Sequence, residues 1–387
     1  MKKSLLAVAM SGVFAVSAHA QSSVTLYGVI DTGLVFANNQ GGHNSVQVGS
    51  SATENTVYGL KGSEDLGGGL HAIFKIENGF NLNNGTLYNS GDAFGEQAYA
   101  GLQSDQFGTV TLGRQFDTVN DVLGPISAAG TTYGGSLSAH PFNNDNLAAD
   151  SMSINNAVKY TSNTYGGFTV EGMYAFSNKA AGFSNNRAYG FGATYTRGPL
   201  NLAAGYLQLN NAGGGVSATN PNGAVALDDG SADFVAQRQR IWGTGGNYTF
   251  GAATVGVLWT HSQIDNMSSV FAGGDGYASL GGGLRLDNYE VNARYSLTSS
   301  LSLAGAYTFT DGSYGNGGAS VSPEWNEFSL QTDYTLSKRT DVYLEGVYQH
   351  VHGAGTGSVL GDATINTLSP SSTGTQLAVT VGLRHQF

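Results

Sequence analysis

The chain of 387 residues contains no cysteine. This absence excludes disulfide bonds, a thiolate nucleophile and any cysteine-ligated metal site. Proline is also scarce, with 6 residues, and charged side chains make up only 11% of the chain. The stability of the fold must therefore have another source than covalent cross-links.

The sequence also lacks a hydrophobic run of the ~20 residues that a membrane-spanning helix needs. Its main apolar stretch covers residues 5–16, follows Lys2 and Lys3, and precedes Ala18-His19-Ala20. Basic residues, a short apolar segment and a small-x-small site are typical of a secretory signal peptide. We therefore expect residues 1–20 to be removed on export and residues 21–387 to form the mature protein.

Basic side chains are few, with 16 Lys and Arg against 27 Asp and Glu, a net charge of −11. Removal of residues 1–20 leaves 14 basic side chains against the same 27 acidic ones, which is −13. A surface that binds nucleic acid needs clustered Lys and Arg. The charge balance argues against nucleic acid as a partner.

Glycine and aromatic residues are abundant, with 58 Gly, 20 Tyr and 18 Phe. A closed transmembrane β-barrel explains this composition, because its lumen face is polar, its lipid face is apolar and its aromatic residues gather near the headgroups. Aromatic and β-branched residues are too frequent for a disordered chain. The composition therefore predicts an all-β membrane barrel.

Apolar side chains alternate along the last strand, residues 376–387. Strand side chains point to opposite faces with period 2. Leu377, Val379, Val381 and Leu383 should thus share a face with the terminal Phe387, and the polar residues should share the other. A final aromatic residue is typical of a strand that ends at a membrane interface.

Short and long connectors alternate along the chain. Seven short ones lie near residues 62–69, 104–108, 162–167, 197–199, 250–252, 298–300 and 337–340. Eight long ones cover roughly residues 37–54, 80–93, 117–151, 178–187, 209–237, 264–283, 311–324 and 353–374. Together they join sixteen antiparallel strands with both termini on the short-turn side. A barrel of 16 strands is wide enough for an aqueous channel.

Several segments resemble the general diffusion porins of Gram-negative outer membranes, in the branch typical of β-proteobacteria. They are SVTLYGVID at 23–31, GLKGSEDLGGGL at 59–70, QAYAGL at 97–102, FGTVTLGRQ at 107–115, NNAVKY at 155–160 and the terminal Phe387. The resemblance covers the full length. It implies a homotrimer of 16-stranded barrels, set in outer-membrane lipid and lipopolysaccharide, whose third long loop folds inward. It also implies that the barrel-assembly machinery reads Phe387 as its signal.

The third long connector, residues 117–151, is the longest, and a segment of this length without strands needs a functional reason. It contains Asp117, Asp121, Asp145 and Asp150, and no Lys or Arg occurs between Gln115 and Val158. From the residues alone it could equally be an acidic loop exposed at the cell surface. The resemblance favours a loop that narrows the pore.

The sequence departs from this family where relatives typically carry arginines that face the acidic loop. This chain has Val57, Glu96 and Ser153 at those three positions, all of which should face the lumen. We therefore expect the constriction to be acidic and the channel to prefer cations. The predicted acidic side is Asp117, Asp121, Asp145, Asp150, Glu77 and Glu96, and the predicted basic wall is Lys61, Lys75, Arg114 and Lys159.

Each charge also has a structural interpretation. Lys61 could pair with a carboxylate of the nearby turn, Lys159 could latch onto Asp150 or another loop carboxylate, and Glu96 could be a solvated charge far from the narrowing. The basic residues could also approach the loop closely enough to restore anion preference. Asp31 is a further acidic candidate for the lumen.

Motifs of catalysis or cofactor binding do not occur, and we predict no cofactor, no metal and no enzymatic activity. His350 and His352 fit a surface position better than a metal site, and Asp228, Asp229 and Asp233 fit a solvated loop better than a Ca²⁺ site. The main hypothesis is a diffusion channel for small hydrophilic solutes and ions. A sugar-selective pore, a barrel adhesin and a barrel enzyme are the alternatives.

Overall fold

The computed structural model describes residues 23–89, 92–148, 152–214, 222–227 and 232–387. The predicted signal peptide lies outside these residues and stays a prediction. The strands are β1 (Ser23–Gln40), β2 (His43–Ser50), β3 (Val57–Gly67), β4 (Leu70–Gly79), β5 (Gln97–Ser104), β6 (Gly108–Phe116), β7 (Ser153–Thr161), β8 (Phe168–Ala175), β9 (Arg187–Arg197), β10 (Leu200–Asn210), β11 (Phe234–Phe250), β12 (Ala253–Phe271), β13 (Tyr277–Ser296), β14 (Leu301–Asn316), β15 (Ala319–Val321), β16 (Glu324–Ser337), β17 (Thr340–His352) and β18 (Thr375–Gln386).

Among the described residues, helical structure is limited to one α-helix and a few 3-10 turns. The helix α1 is Thr118–Leu123, and the turns are Gly124–Ile126, Ser136–Ser138, Pro141–Asn143, Ala212–Gly214 and Gly273–Asp275. Among the described residues, no helix is long and apolar enough to cross a membrane.

The strands form one closed antiparallel sheet in which β18 pairs with β1. β2 pairs only with the distal half of β1, and β15 pairs only with the end of β14. The other sixteen strands make the barrel wall, which confirms the predicted strand number. The seven short and eight long connections also alternate in the predicted order. The turn from β3 to β4 is tight because Gly67, Gly68 and Gly69 all adopt positive φ.

Three predicted long connectors, residues 37–54, 264–283 and 311–324, are largely strand, and their predicted boundaries are wrong. β12 continues to Phe271, β13 already begins at Tyr277, and β14 runs to Asn316. In the last two connectors the reason is a hydrophobic cluster that extends beyond the predicted strand ends, where Ile264, Met267 and Val270 are almost fully buried. Apolar contacts thus extend the sheet into segments whose composition suggests a loop.

Exposure alternates along the wall as predicted from period 2. On β18, Val381 is 59% and Leu383 39% exposed, whereas Gln376 and Thr380 are fully buried. The exposed face is apolar and the covered face is polar. In a closed sheet these are the outer surface and the interior, respectively.

Aromatic side chains gather at the short-turn end of the outer surface. Phe107, Tyr165, Phe250, Tyr295 and Phe387 each lie in or beside a short turn or terminus, and all are at least 40% exposed. Rings at one level around a barrel are typical of a membrane interface.

Phe387 closes the barrel against β1. Its N–H donates to the Gly28 carbonyl (3.0 Å), and its own carbonyl accepts from the Gly28 N–H (3.1 Å). A Cβ at Gly28 would lie 2.3 Å from the Phe387 ring, so the ring fills the space that glycine leaves. The terminal residue is thus part of the closing seam.

Deletion of Phe387 should sharply lower the amount of folded protein in the outer membrane, because the seam loses both hydrogen bonds and the interfacial ring. Membrane fractionation and immunoblotting measure this. Phe387→Tyr, which keeps the ring and the backbone, should retain normal levels. An unchanged abundance of the deletion variant would refute the role of Phe387 in closing the barrel.

Candidate functional site

The third loop, residues 117–152 between β6 and β7, begins with α1, and Asp117 caps this helix. The Asp117 carboxylate accepts from the N–H groups of Val119 (2.6 Å) and Asn120 (3.1 Å) and from the Asn146 amide. Burial raises the pKa of Asp117 to about 7, although these backbone donors oppose the shift. The carboxylate therefore holds the loop together from within.

Helix α1 packs against glycines of β9 and β10. Gly192 and Gly205 are cross-strand partners, and Gly190 lies on the same face of β9. A Cβ at Gly190 would lie 2.3 Å from Thr118 Oγ1, and one at Gly192 would lie 2.7 Å from a Val122 methyl group. The helix can lie this close to the wall because the glycines have no side chains at these positions.

The rest of the third loop is tied to the interior face of the wall through its carbonyl groups. Asn144 O accepts from Gln239 Nε2 (3.1 Å) and Ser262 Oγ (2.8 Å). Asn292 Nδ2 donates to Ile126 O (2.9 Å), and Gln331 Nε2 donates to Thr132 O (2.8 Å). The donors come from β11, β12, β13 and β16, so the loop contacts much of the barrel circumference.

His140 links the third loop to the wall through two carboxylates. Its Nδ1 lies 2.6 Å from Asp145 Oδ2, and its Nε2 lies 3.0 Å from Glu290 Oε2 on β13. Burial lowers the pKa of His140, but the two carboxylates together outweigh it and raise the pKa well above the ordinary value. Asp145 also accepts from Thr260 Oγ1, so the loop and two strands meet at one buried network.

A cavity of about 320 Å³ lies between the third loop, the first loop and the adjoining ends of β3, β4 and β6. Four carboxylates line it, from Glu54, Glu77, Glu96 and Asp121, and none of the described lining residues is Lys or Arg. The other lining residues are polar or apolar and uncharged: Thr53, Asn55, Val57, Phe116, Asn120, Gly124, Pro125, Gly130, Thr131, Thr132, Leu147 and Ala148. We call this space the acidic cavity.

The pKa values of two of these carboxyls, Glu54 and Asp121, are raised. Burial raises the pKa of Glu54, and the Arg384 guanidinium 3.6 Å away only partly offsets it. Burial likewise raises the pKa of Asp121, although its ion pair with Lys159 acts in the opposite direction. Both groups therefore bind protons at a higher pH than an exposed carboxyl group does.

Comparison with known proteins assigns the family. The family model described as Gram-negative porin matches residues 6–354. The chain belongs to the Gram-negative porin family. It is 31% identical to an outer membrane porin protein of Bordetella pertussis and 27% identical to outer membrane porin protein 32 of Delftia acidovorans, and both alignments cover all of both chains.

Solved porin structures share the fold. An anion-selective porin from Comamonas acidovorans aligns with a TM-score of 0.71 at 23% identity, covering 95% of this chain and all of that one. A trimer form of in-vitro folded OmpT from Vibrio cholerae aligns with a TM-score of 0.64 at 19% identity, covering 95% and 99%. These structures show a shared fold, while the family model and the Bordetella relative identify the chain as an outer-membrane porin.

The predicted acidic residues of this porin occupy three kinds of position. Asp121, Glu77 and Glu96 line the acidic cavity, whereas Asp117 and Asp145 are fully buried in the cap and the His140 network. Asp150 lies outside the described residues. Of the three positions where the resemblance implies arginine in relatives, Val57 and Glu96 line the cavity, and Ser153 donates to the Glu96 carbonyl (2.7 Å).

The predicted basic residues make separate contacts, and their role as a pore wall stays a prediction. Lys159 is paired directly with Asp121 of the loop, as the structural interpretation of Lys159 proposed. Lys61 and Lys75 are cross-strand partners that flank the Tyr27 ring, and Lys75 also pairs with Glu77 (3.1 Å). Arg114 is buried and donates to Asn155 (2.6 Å).

The other charges singled out in the sequence have structural partners. Asp31 is buried and accepts from Tyr343 and Thr53. Asp233 accepts from Asn143 of the third loop (3.2 Å), and His352 pairs with Glu324 near the eighth long loop. Asp228 and Asp229 lie outside the described residues.

Three functional residues escaped sequence reasoning: Glu54, His140 and Arg384. Glu54 and His140 lie in loops, where strand parity assigns no face. Arg384 is assigned to the interior by parity, but its pairing with Asp341 (2.8 Å), Asp333 (3.5 Å) and Glu54 depends on distant segments. The one feature of the sequence that could have indicated a role for His140 is its position in the longest connector.

Gly190→Ala should destabilise this porin by about 1–3 kcal/mol, because the new Cβ would overlap Thr118 and displace α1. The measurement is the thermal unfolding midpoint of the detergent-extracted protein. Gly172→Ala on β8 is the matched control, because its Cβ would have no neighbour closer than 4.0 Å. Equal midpoints for the two variants would contradict tight packing of the helix.

His140 should stabilise the porin most at pH values below about 6.5, its ordinary pKa. Because the folded state raises this pKa, the stabilisation is lost as the pH rises through the folded-state value. We expect the difference in thermal midpoint between the wild type and His140→Gln to shrink as the pH is raised above neutral. Asp145, Glu290 and Glu327 also face His140, so the comparison should stay above the pH at which carboxyl groups protonate.

His352→Gln is the control for this titration, since the His352 side chain is 53% exposed, pairs with Glu324 and stacks on His350, away from the third loop's buried network. It should leave the pH dependence of the midpoint unaltered. A difference between wild type and His140→Gln that stays constant or grows with pH would show that His140 is not the titrating group.

Proposed function

We propose that this porin forms a water-filled channel for passive diffusion of small hydrophilic solutes and ions, and that the channel prefers cations. The observation that carries the proposal is the acidic cavity, which four carboxylates line and whose described lining residues include no Lys or Arg. Rings of charged side chains at a constriction are the usual source of ion preference in channels.

The proposal includes an inward-folded third loop that narrows the barrel. Its support is the set of hydrogen bonds from β11, β12, β13 and β16 to the loop carbonyls, together with the glycines that receive α1. A loop held on the interior face at this many points leaves a reduced passage. Asp121 and Pro125 of the loop form one side of that passage.

Electrostatics favour cations strongly in a narrow passage. The interaction energy between an ion and a unit charge ~4 Å away is about 1 kcal/mol in bulk water and up to about 4 kcal/mol at the lower effective dielectric near protein. Lys75, Lys159 and Arg384 pair with Glu77, Asp121 and Glu54 of the cavity, and Arg384 is shared with Asp333 and Asp341. These carboxylates together with Glu96 outnumber the three bases, so the local charge is negative.

The structure offers less support for a sugar-selective pore. Such a pore needs a continuous row of free aromatic rings along the lumen. Tyr27 is held by Glu77 and two lysines, Tyr343 donates to Asp31, and Tyr133 stacks on Arg294 at 3.7 Å. Each of these three rings is held by its own structural contacts, so they do not form such a row.

We also propose a homotrimer embedded in lipid and lipopolysaccharide and assembled by the barrel-assembly machinery. Its support is the apolar outer face, which can pack against lipid or a neighbouring chain, and the trimer form known for the OmpT neighbour. Light scattering of the detergent-extracted protein measures the number of chains, and a monomer would overturn this part.

The reversal potential in a tenfold KCl gradient should have the sign of cation preference. Glu96→Gln should reduce it and Glu96→Arg should reduce it further, because each removes negative charge from the cavity. Lowering the pH should also reduce it, starting above the usual carboxyl range, since the pKa values of Glu54 and Asp121 are raised. The preference should weaken near 1 M salt, where the Debye length falls to about 3 Å.

Glu64→Gln is the matched control, because Glu64 is exposed beside the first short turn and does not line the cavity. It should leave the reversal potential unchanged. A wild-type potential of anion sign would overturn the cation preference, and a Glu96→Arg potential equal to the wild type would remove Glu96 from the conduction path.

A further inference from the structure

Arg294, near the short-turn end of β13, is a cation of the barrel interior without a counter-charge. Among the described residues it forms no ion pair, and its Nε is buried without a hydrogen bond. The interior carboxylates on β13 and β16 are engaged elsewhere, Glu290 with His140 and Asp333 with Arg384. Because burial of a cation without a counter-charge is costly, an anion beside Arg294 would stabilise it.

Tyr133 of the third loop determines how Arg294 presents its N–H groups. The guanidinium carbon lies 3.7 Å from the centre of the Tyr133 ring, so the guanidinium stacks on the ring. A guanidinium carries its five N–H donors in its plane, and stacking covers the face while it leaves the edge available. Such an edge binds a carboxylate through two parallel hydrogen bonds. The loop thus holds Arg294 in an orientation that suits a carboxylate.

A cavity of about 160 Å³ lies beside this guanidinium. Arg294 is the one charged residue among its described lining residues. Thr131, Thr254, Asn247 and Asn292 add hydroxyl and amide groups to the lining, and Thr254 is the cross-strand partner of Arg294. We call this space the arginine cavity. Its charge and polarity suit a small organic group of negative charge.

The arginine cavity adjoins the acidic cavity at the third loop, since Pro125 and Thr131 line both. A simple anion is repelled by the carboxylates of the acidic cavity, and a simple cation is repelled by Arg294. A small zwitterion carries one charge that suits each cavity. Its ammonium group complements the carboxylates, and its carboxylate complements the guanidinium.

We propose that Arg294 is a carboxylate-binding subsite for small zwitterionic solutes of the amino-acid type. The inference rests on the proposed channel function and specifies a class of solute for it. The solute carboxylate accepts hydrogen bonds from the edge of Arg294, and the acidic cavity stabilises the ammonium group as the solute passes the third loop. Because Arg294 is only half-buried and supplies a single charge, binding is weak enough for the solute to leave again.

The test compares solutes that share a three-carbon chain: β-alanine carries both charges, propylamine carries only the ammonium group, and propionate carries only the carboxylate. Each solute is titrated into a planar bilayer that holds the channel in dilute KCl. The block of the single-channel current gives an apparent Kd. We expect the wild type to bind β-alanine more tightly than propylamine or propionate.

Arg294→Gln should weaken β-alanine binding roughly 10-fold, the lower end for loss of hydrogen bonds to a charged group. It should leave propylamine binding equal or tighter, because it removes a positive charge. Arg294→Lys keeps the charge but lacks the planar fork, so it should restore β-alanine binding only in part. Arg339→Gln is the matched control and should bind β-alanine as the wild type does, because Arg339 is exposed in the last short turn and lines neither cavity.

Three results would overturn the proposal. The first is a wild type that binds β-alanine no better than propylamine and propionate, a comparison that still decides if Arg294→Gln fails to fold. The second is an Arg294→Gln channel with wild-type affinity for β-alanine. The third is an equal loss of affinity in Arg339→Gln, which would trace the effect to long-range charge. A wild type without stepwise KCl conductance would instead refute the proposed channel, so the two failures are distinguishable.

Discussion

The structure depends on the requirement that every backbone N–H and C=O within hydrocarbon be paired inside the protein. An open sheet would leave two edges unpaired, so β18 must return to β1, and Phe387 must reach Gly28. Closure in turn divides the side chains into an apolar outer set and a polar inner set. All charges of the interior then have to find partners in a confined space.

The third loop supplies many of those partners. Its carbonyl groups accept from amide and hydroxyl side chains of the wall, and His140 sits between carboxylates of the loop and of β13. Buried polar networks of this kind are stable only when their members are satisfied. Asp121 differs from these buried groups, because it pairs with Lys159 and also lines the acidic cavity.

The alternation of side chains made the barrel predictable, since period 2 and turn composition are local properties of the sequence. Strand number, the two faces and the acidic character of the third loop follow from them. The roles within the loop are not local. Asp117 looks like a pore charge in the sequence but caps α1, and Asp145 looks similar but binds His140. His140 and Glu290 are 150 residues apart, so no spacing rule joins them.

The unequal lengths of the strands make the barrel mouth oblique. At ~3.3 Å per residue and a tilt of about 40°, the 20 residues of β13 rise ~50 Å, whereas the 8 residues of β8 rise only ~20 Å. The apolar band of such barrels is only about 25 Å tall. One half of the rim therefore stands far above the lipid while the other half ends close to it. Large molecules approaching from outside are held off by the tall half, and the easiest access for small solutes is from the low half.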